Sequence, residues 1–301
     1  MTALTLFSLL LVGSSLPTPT ADDRILYVDA STRHGGNGTC ERPIGRDLHT
    51  VFQLLARQPR QYDEVWLSGV FPPLGLWPDV HSGTSERPLV FRAWDGREPP
   101  IFWSEDGVSP AIITSGNDHL VLDGLVSGGA IEPLGGLGCF VNASHDVEVR
   151  NCTFTGNGEA GMCTKESRNV RILRCRFLDN FGAGLLVPNA SAVTVEENLI
   201  EGNYRGGLCV VFSNKVNVRD NVIRGNNGFG IIAGESQWIA TGNHILNTTG
   251  VGIVIPNNVP PGLIEQNTFT GNTKGVHCAK SPFPQEPPPF NMRLAAMQQR
   301  P

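Results

Sequence analysis

Glycine recurs ahead of a short apolar run at Gly138, Gly161, Gly184, Gly207, Gly230, Gly252 and Gly275, at steps of 23, 23, 23, 23, 22 and 23 residues. A second row keeps the same step: Cys152, Cys175, Asn198, Asn221, Asn243 and Asn267, each followed two residues later by an apolar side chain from Phe154 to Phe269. A third lies five residues further on: Asn157, Asn180, Asn203, Asn226, Thr248 and Asn272. Three rows locked to one period restrict the chain to a solenoid, in which each period is one coil stacked on the last. The runs lack helical spacing, so each coil is read as two or three short strands separated by turns. Coils then stack at about 4.8 Å, the strand spacing of any sheet.

The stack makes local expectations. Asn198, Asn221 and Asn243 should point inward and form an amide ladder. The repeated glycines should supply φ > 0 where the chain turns into each strand. On the strand after each glycine, positions +1 and +3 should face the core and +2 the outside. The +2 row reads Phe140, Cys163, Leu186, Cys209, Ile232, Val254 and His277, which is apolar for a solvent face. Trp238 aligns with Val147, Val170, Val193 and Val216 and reads as core; Trp77, beside Pro78, reads as a loop platform for a sugar.

Outside the repeat, the first 21 residues carry no charge, and Leu6–Val12 is an apolar run too short to span a bilayer. Small residues and prolines follow, so residues 1–21 read as a signal peptide and the protein as secreted. Residues 22–110 form an N-terminal cap and first coils, 111–281 the repeats, and 282–301 a Pro-rich tail with a short helical run from Met292 to Gln299. Leu48, Val51, Phe52 and Leu55 stand at helical spacing with Asp47 as a candidate N-cap. This helix is assigned the cap on the open apolar end, with Leu48, Phe52 and Leu55 covering the first coil. Net charge is -5 with no basic run, which excludes a nucleic-acid partner. No segment is long and apolar enough to be read as a membrane span. Seven cysteines leave at least one outside any intrachain pair. They show no zinc-like spacing, there is no dense Asp cluster for calcium, and no cofactor is expected.

Coils such as Asn221-Val222-Ile223, Gly225-Asn226 and Gly230-Ile231-Ile232-Ala233 resemble those of the right-handed parallel β-helix proteins of the pectate lyase superfamily. The N-terminal part, with Tyr27-Val28-Asp29-Ala30, Gly36-Asn37-Gly38-Thr39 and Gly83-Thr84-Ser85-Glu86-Arg87-Pro88, is similar to the opening of secreted proteins related to chondroitinase B and alginate lyases. The resemblance implies an all-β, right-handed parallel β-helix. It also implies a carbohydrate-active protein with a polysaccharide partner, in the enzymatic case a lyase on an acidic glycan. A non-catalytic β-helix that binds glycan or protein stays open beside it.

Abstraction of the proton at C5 of a uronate needs a base, and a cation to neutralise the carboxylate. Lys165 is the candidate base and Arg205 the candidate neutraliser, provided that they approach one another across two coils. Glu166, Asn189 and Glu235, on the turn after the strand, are candidate substrate-binding residues. His277, the one histidine on the outward row, is another. No metal ligands are assigned.

Overall fold

The computed structural model describes residues 24–33, 35–58, 60–76, 82–104, 109–129, 136–256 and 264–279. Residues 1–21, read from sequence as a signal peptide, Trp77 and the Pro-rich tail lie outside them. The described chain winds into a right-handed solenoid of three parallel sheets. Sheet A has ten strands, beginning with Ile25–Asp29 and ending with Ile264–Glu265. Sheet B has nine, three residues long through most of the stack, such as Arg176–Leu178. Sheet C also has nine, including Ala160–Lys165, Ala183–Pro188 and Gly206–Val211. Each coil passes from C to A to B and then enters the next strand of C.

The register follows the sequence period. Val147 pairs with Val170, Val170 with Val193, Val193 with Val216, and Val216 with Trp238, all in sheet A. In sheet B, Phe154, Phe177, Ile200, Ile223 and Ile245 stack in file and are fully buried. Burying such side chains contributes roughly 1.5–3 kcal/mol each. Each is held by neighbours one coil above and below.

Polar groups at the turns are satisfied along the stack. Asn198 Nδ2 donates to Asn221 Oδ1 at 2.9 Å, Asn221 Nδ2 to Asn243 Oδ1 at 2.9 Å, and Asn243 Nδ2 to Asn267 Oδ1 at 2.8 Å. The Asn157–Asn180–Asn203–Asn226 series does the same at the next corner, at 2.8, 2.8 and 2.9 Å. A third ladder, absent from the sequence reading, uses hydroxyls at the corner between C and A. Backbone N–H groups of Ser144, Ala190 and Ser213 donate to the Oγ of Ser167, Ser213 and Ser236 at 3.1, 3.1 and 3.0 Å.

The repeated glycines have a different cause from the one expected. Left-handed φ occurs at Gly156, Gly202, Gly225 and Gly242 and in turns at residues such as Asn151, Glu166 and Asn189, but not at Gly138, Gly161, Gly184, Gly207, Gly230 or Gly252. Those six leave no space for a side chain. A Cβ on each would stand 2.4–2.9 Å from the carbonyl oxygen of the glycine one coil on.

At the N-terminal end, Leu48–Arg57 is a helix, and the Asp47 side chain accepts from the His49 N–H. Leu48, Val51 and Leu55 are buried in the same core cluster as Leu26 and Val28 of the first strand, with Phe52 partly buried against it.

All seven cysteines are free. Cys152 and Cys175 are inward thiols, donating to the carbonyls of Arg150 and Leu173 at 3.2 and 3.4 Å. Burial pushes the Cys139 and Cys152 thiols well up, and those of Cys163 and Cys209 up to about 12. Alkylation needs the thiolate. At pH 8 the native protein is therefore expected to alkylate at exposed Cys40 while Cys139, Cys152 and Cys163 react at least a hundredfold more slowly until denaturant is added. Peptide mass spectrometry reads this directly, and rapid labelling of Cys152 would contradict the buried ladder. A thiol whose pKa is raised in the folded state stabilises below its unfolded value. Stability should therefore fall with pH between about 9 and about 12.

Candidate functional site

Alternation along sheet A buries Val147, Val149, Val170 and Ile172, so Glu148, Arg150 and Arg171 project outward. In register with them, Asp118 pairs with His145, Val121 with Glu148, and Asp123 with Arg150. One residue into these strands, His119, Asp146 and Asn169 share a left-handed backbone at φ 52–54°. The turn Gly83–Pro88 overhangs this patch. It is anchored by the Gly83 N–H on Asp118 O at 2.9 Å and by the Asp118 N–H on Ser82 Oγ at 3.0 Å. Only glycine fits at 83, because a Cβ there would lie 2.6 Å from His119 O and 2.4 Å from Leu89 N. The result is a cleft whose walls include Thr84, Ser85, Pro88, His119, Asp146 and Arg171.

Its charges are organised in two groups. His119 Nδ1 lies 3.7 Å from Asp146 Oδ2, while Asp146 Oδ1 accepts from Asn169 Nδ2. Beside it, His145 Nδ1 is 3.3 Å from Asp118 Oδ1. The second group is a chain: Asp123 Oδ2 takes Arg150 Nε at 2.9 Å, Arg150 Nη1 reaches Glu148 Oε1 at 2.8 Å, and Glu148 Oε2 takes Arg171 Nη1 at 2.9 Å. Partial burial works against the Arg150 charge, but Asp123 and Glu148 raise its pKa overall. Asp123 and Glu148 are the sheltered members at 15% and 18% side-chain exposure, and Arg171 the accessible one at 54%. Arg171 can thus present its free guanidinium edge to an anion. Further along the file of Glu148 and Arg171 come Thr194 and Asn217, while in the file of Arg150 the outward face carries the pair Arg219 Nη2–Glu196 Oε2 at 2.7 Å.

At the N-terminal side the same face continues with aromatics. The Arg92 guanidinium lies 4.7 Å from the centre of Trp66, and Tyr27 packs on Trp66 and Trp94 at 5.7 and 5.0 Å. Trp238 is core, as its alignment predicts.

The residues singled out from sequence lie elsewhere. Lys165 ends the sheet C strand Ala160–Lys165, with its Nζ 3.5 Å from Glu166 Oε1. Glu166, Asn189 and Glu235 do stack on one corner, with exposed Phe212 between the last two. Arg205 immediately precedes the strand Gly206–Val211, at the other end of the same sheet. A six-residue strand separates the two corners, roughly 16–20 Å at about 3.3 Å per residue. The pairing of Lys165 with Arg205 is therefore not formed. His277 is exposed in the last strand of sheet C, beside Val254. The +2 row does face outward: Phe140, Cys163 and Leu186 pack with Leu137 and Ala160, the residues just before Gly138 and Gly161, in a small apolar cluster separate from the main core.

The chain belongs to the family described as right handed beta helix region, whose model matches residues 116–283. A comparison with curated proteins finds no match. Among solved structures, pectate lyase Pel9A is similar with a TM-score of 0.62 at 13% identity, over 85% of this chain and 77% of that one. The GH136 lacto-N-biosidase from Eubacterium ramulus gives 0.57 at 12% identity, over 85% and 68%. A rhamnogalacturonan lyase gives 0.51 at 14%, over 83% and 74%. At these identities the likeness is one of fold.

Proposed function

We propose that this protein is a secreted, carbohydrate-active β-helix protein that holds an acidic glycan along the outer face of sheet A and cleaves it by elimination in the cleft beneath Gly83–Pro88. The observation that carries the reading is the grouping of His119 with Asp146, and of Arg171 with Glu148, under one overhang. Arg171 receives the uronate carboxylate and stabilises the charge that spreads onto it when the neighbouring carbon loses its proton. His119, steadied by Asp146, takes that proton. The C–O bond to the leaving sugar breaks as the double bond forms, and solvent protonates the departing oxygen. The fold neighbours named as pectate lyase, lacto-N-biosidase and rhamnogalacturonan lyase support a carbohydrate substrate.

The test is release of unsaturated uronate from pectate, alginate and chondroitin. His119→Ala is expected to lower turnover by a factor of about 10²–10⁴, the usual worth of a general base, while leaving glycan binding within a few-fold. Arg171→Ala is expected to weaken both. Binding without any product would favour the second reading, a glycan- or protein-binding β-helix, for which the apolar outer face of sheet C speaks. Neither binding nor product on the three polymers would overturn the proposal.

A further inference from the structure

The two ends of the solenoid differ. In the first strand of sheet A, Leu26 and Val28 are fully buried, with Leu48, Val51 and Leu55 of the helix in the same core cluster. The last coil exposes groups of the kind the interior hides. Val276 pairs with buried Ile253, Cys278 with Ile255 and Phe269 with Ile245, so all three point into the core file. Yet Val276 is 41% exposed, Cys278 is exposed and Phe269 is only partly covered. The edge strands Ile264–Glu265, Thr268–Thr270 and Lys274–Ala279 close the three sheets on this side. An apolar section of core with three strand edges around it invites association unless something covers it.

We propose that the chain's own C-terminal segment, residues 280–301, covers this end and seats the apolar side chains of 292–299 on Val276, Cys278 and Phe269. The segment follows directly from the last strand, which ends at Ala279 beside the open section. Its sequence has no Gly-Asn corner pattern and six of its 22 residues are proline, so it adds no further coil. Proline also suits a crossing over an end that offers few backbone partners, because it has no N–H to satisfy. Residues 282–290 in a polyproline conformation reach about 28 Å, at about 3.1 Å per residue, enough to cross the section of one coil. Beyond them Met292, Leu294, Ala295, Ala296 and Met297 supply apolar surface, and only four residues of the whole segment are charged. The cover is thus the counterpart of the N-terminal helix.

Cys278 is a native reporter, since its thiol lies on the surface to be covered. Its alkylation rate in the full-length protein should be at least tenfold below that of Cys40. It should rise to the Cys40 level in a chain ending at Ser281, and in full-length Leu294→Asp/Met297→Asp if the shortened chain does not fold. A Met297→Cys variant should form an intramolecular disulfide with Cys278 under mild oxidation. Equal rates for Cys278 and Cys40 in the full-length protein would overturn the proposal. So would protection that disappears on dilution, which would assign the cover to a second copy of the chain.

Discussion

Asn221→Leu is expected to lower the stability of the protein by about 3 kcal/mol, read as a lower urea midpoint with an unchanged slope. The side chain sits at 0% exposure in the middle of its ladder. Its Oδ1 accepts from both the backbone and the side chain of Asn198, at 2.9 Å each. Its Nδ2 donates to Val195 O and Arg219 O at 2.9 Å, as well as to Asn243. Leucine adds apolar volume of similar size but strands two donors and several acceptors where water cannot enter. Each unsatisfied buried group costs about 1–3 kcal/mol, so the loss outweighs any gain from burying the leucine. A midpoint equal to that of the native protein would mean that the ladder does not stabilise the fold.

Gly207→Ala should be still more damaging for a single methyl group. The added carbon would stand 2.4 Å from Gly230 O and 2.8 Å from Ile223 Cγ2. The oxygen belongs to a strand fixed by the next coil, so neither partner can retreat without opening the sheet. Overpacking of this kind costs about 1–3 kcal/mol where side chains can shift, and more against backbone. The expected outcome is loss of the folded state at 37 °C, or a melting midpoint more than 10 °C lower. Gly225→Ala provides the contrast: no atom lies within 4 Å of its Cβ position, and only its φ of +61° opposes the change. A Gly207→Ala protein as stable as the Gly225→Ala one would refute the close stacking.

The solenoid was legible because its inward side chains repeat in kind as well as in place. Asn198, Asn221 and Asn243 could be assigned to one ladder from spacing alone. The same periodicity could not separate two reasons for glycine, since left-handed φ and close backbone approach leave the same letter in the sequence. The serine ladder escaped because Ala190 interrupts it. The candidate cleft escaped for a geometric reason. Asp118 and His145 are 27 residues apart, off the 23-residue step, and Ser82 reaches Asp118 across 36 residues. One signal was available: Glu148 and Arg171 flank the Val147–Val170 file and stand on its outward side. The Lys165–Arg205 pairing treated the two ends of a strand as one place, although their positions relative to the glycine row already separated them.

The coil between Asn226 and Thr248 is 22 residues long, and threonine takes the place of asparagine there. Its hydroxyl passes one proton to Asn272 Oδ1 at 2.6 Å, where an asparagine would bring two. The stack therefore has a parting line. At that corner the carboxamide run from Asn157 to Asn226 gives way to a thinner thread, while the Asn198–Asn267 ladder at the neighbouring corner crosses the same coils unbroken. In a molecule whose coils touch only their neighbours, such a joint divides the cooperative unit. Heat or tension would peel the last coils away first, while the charged cleft around Glu148 and Arg171 stays within the block that yields last.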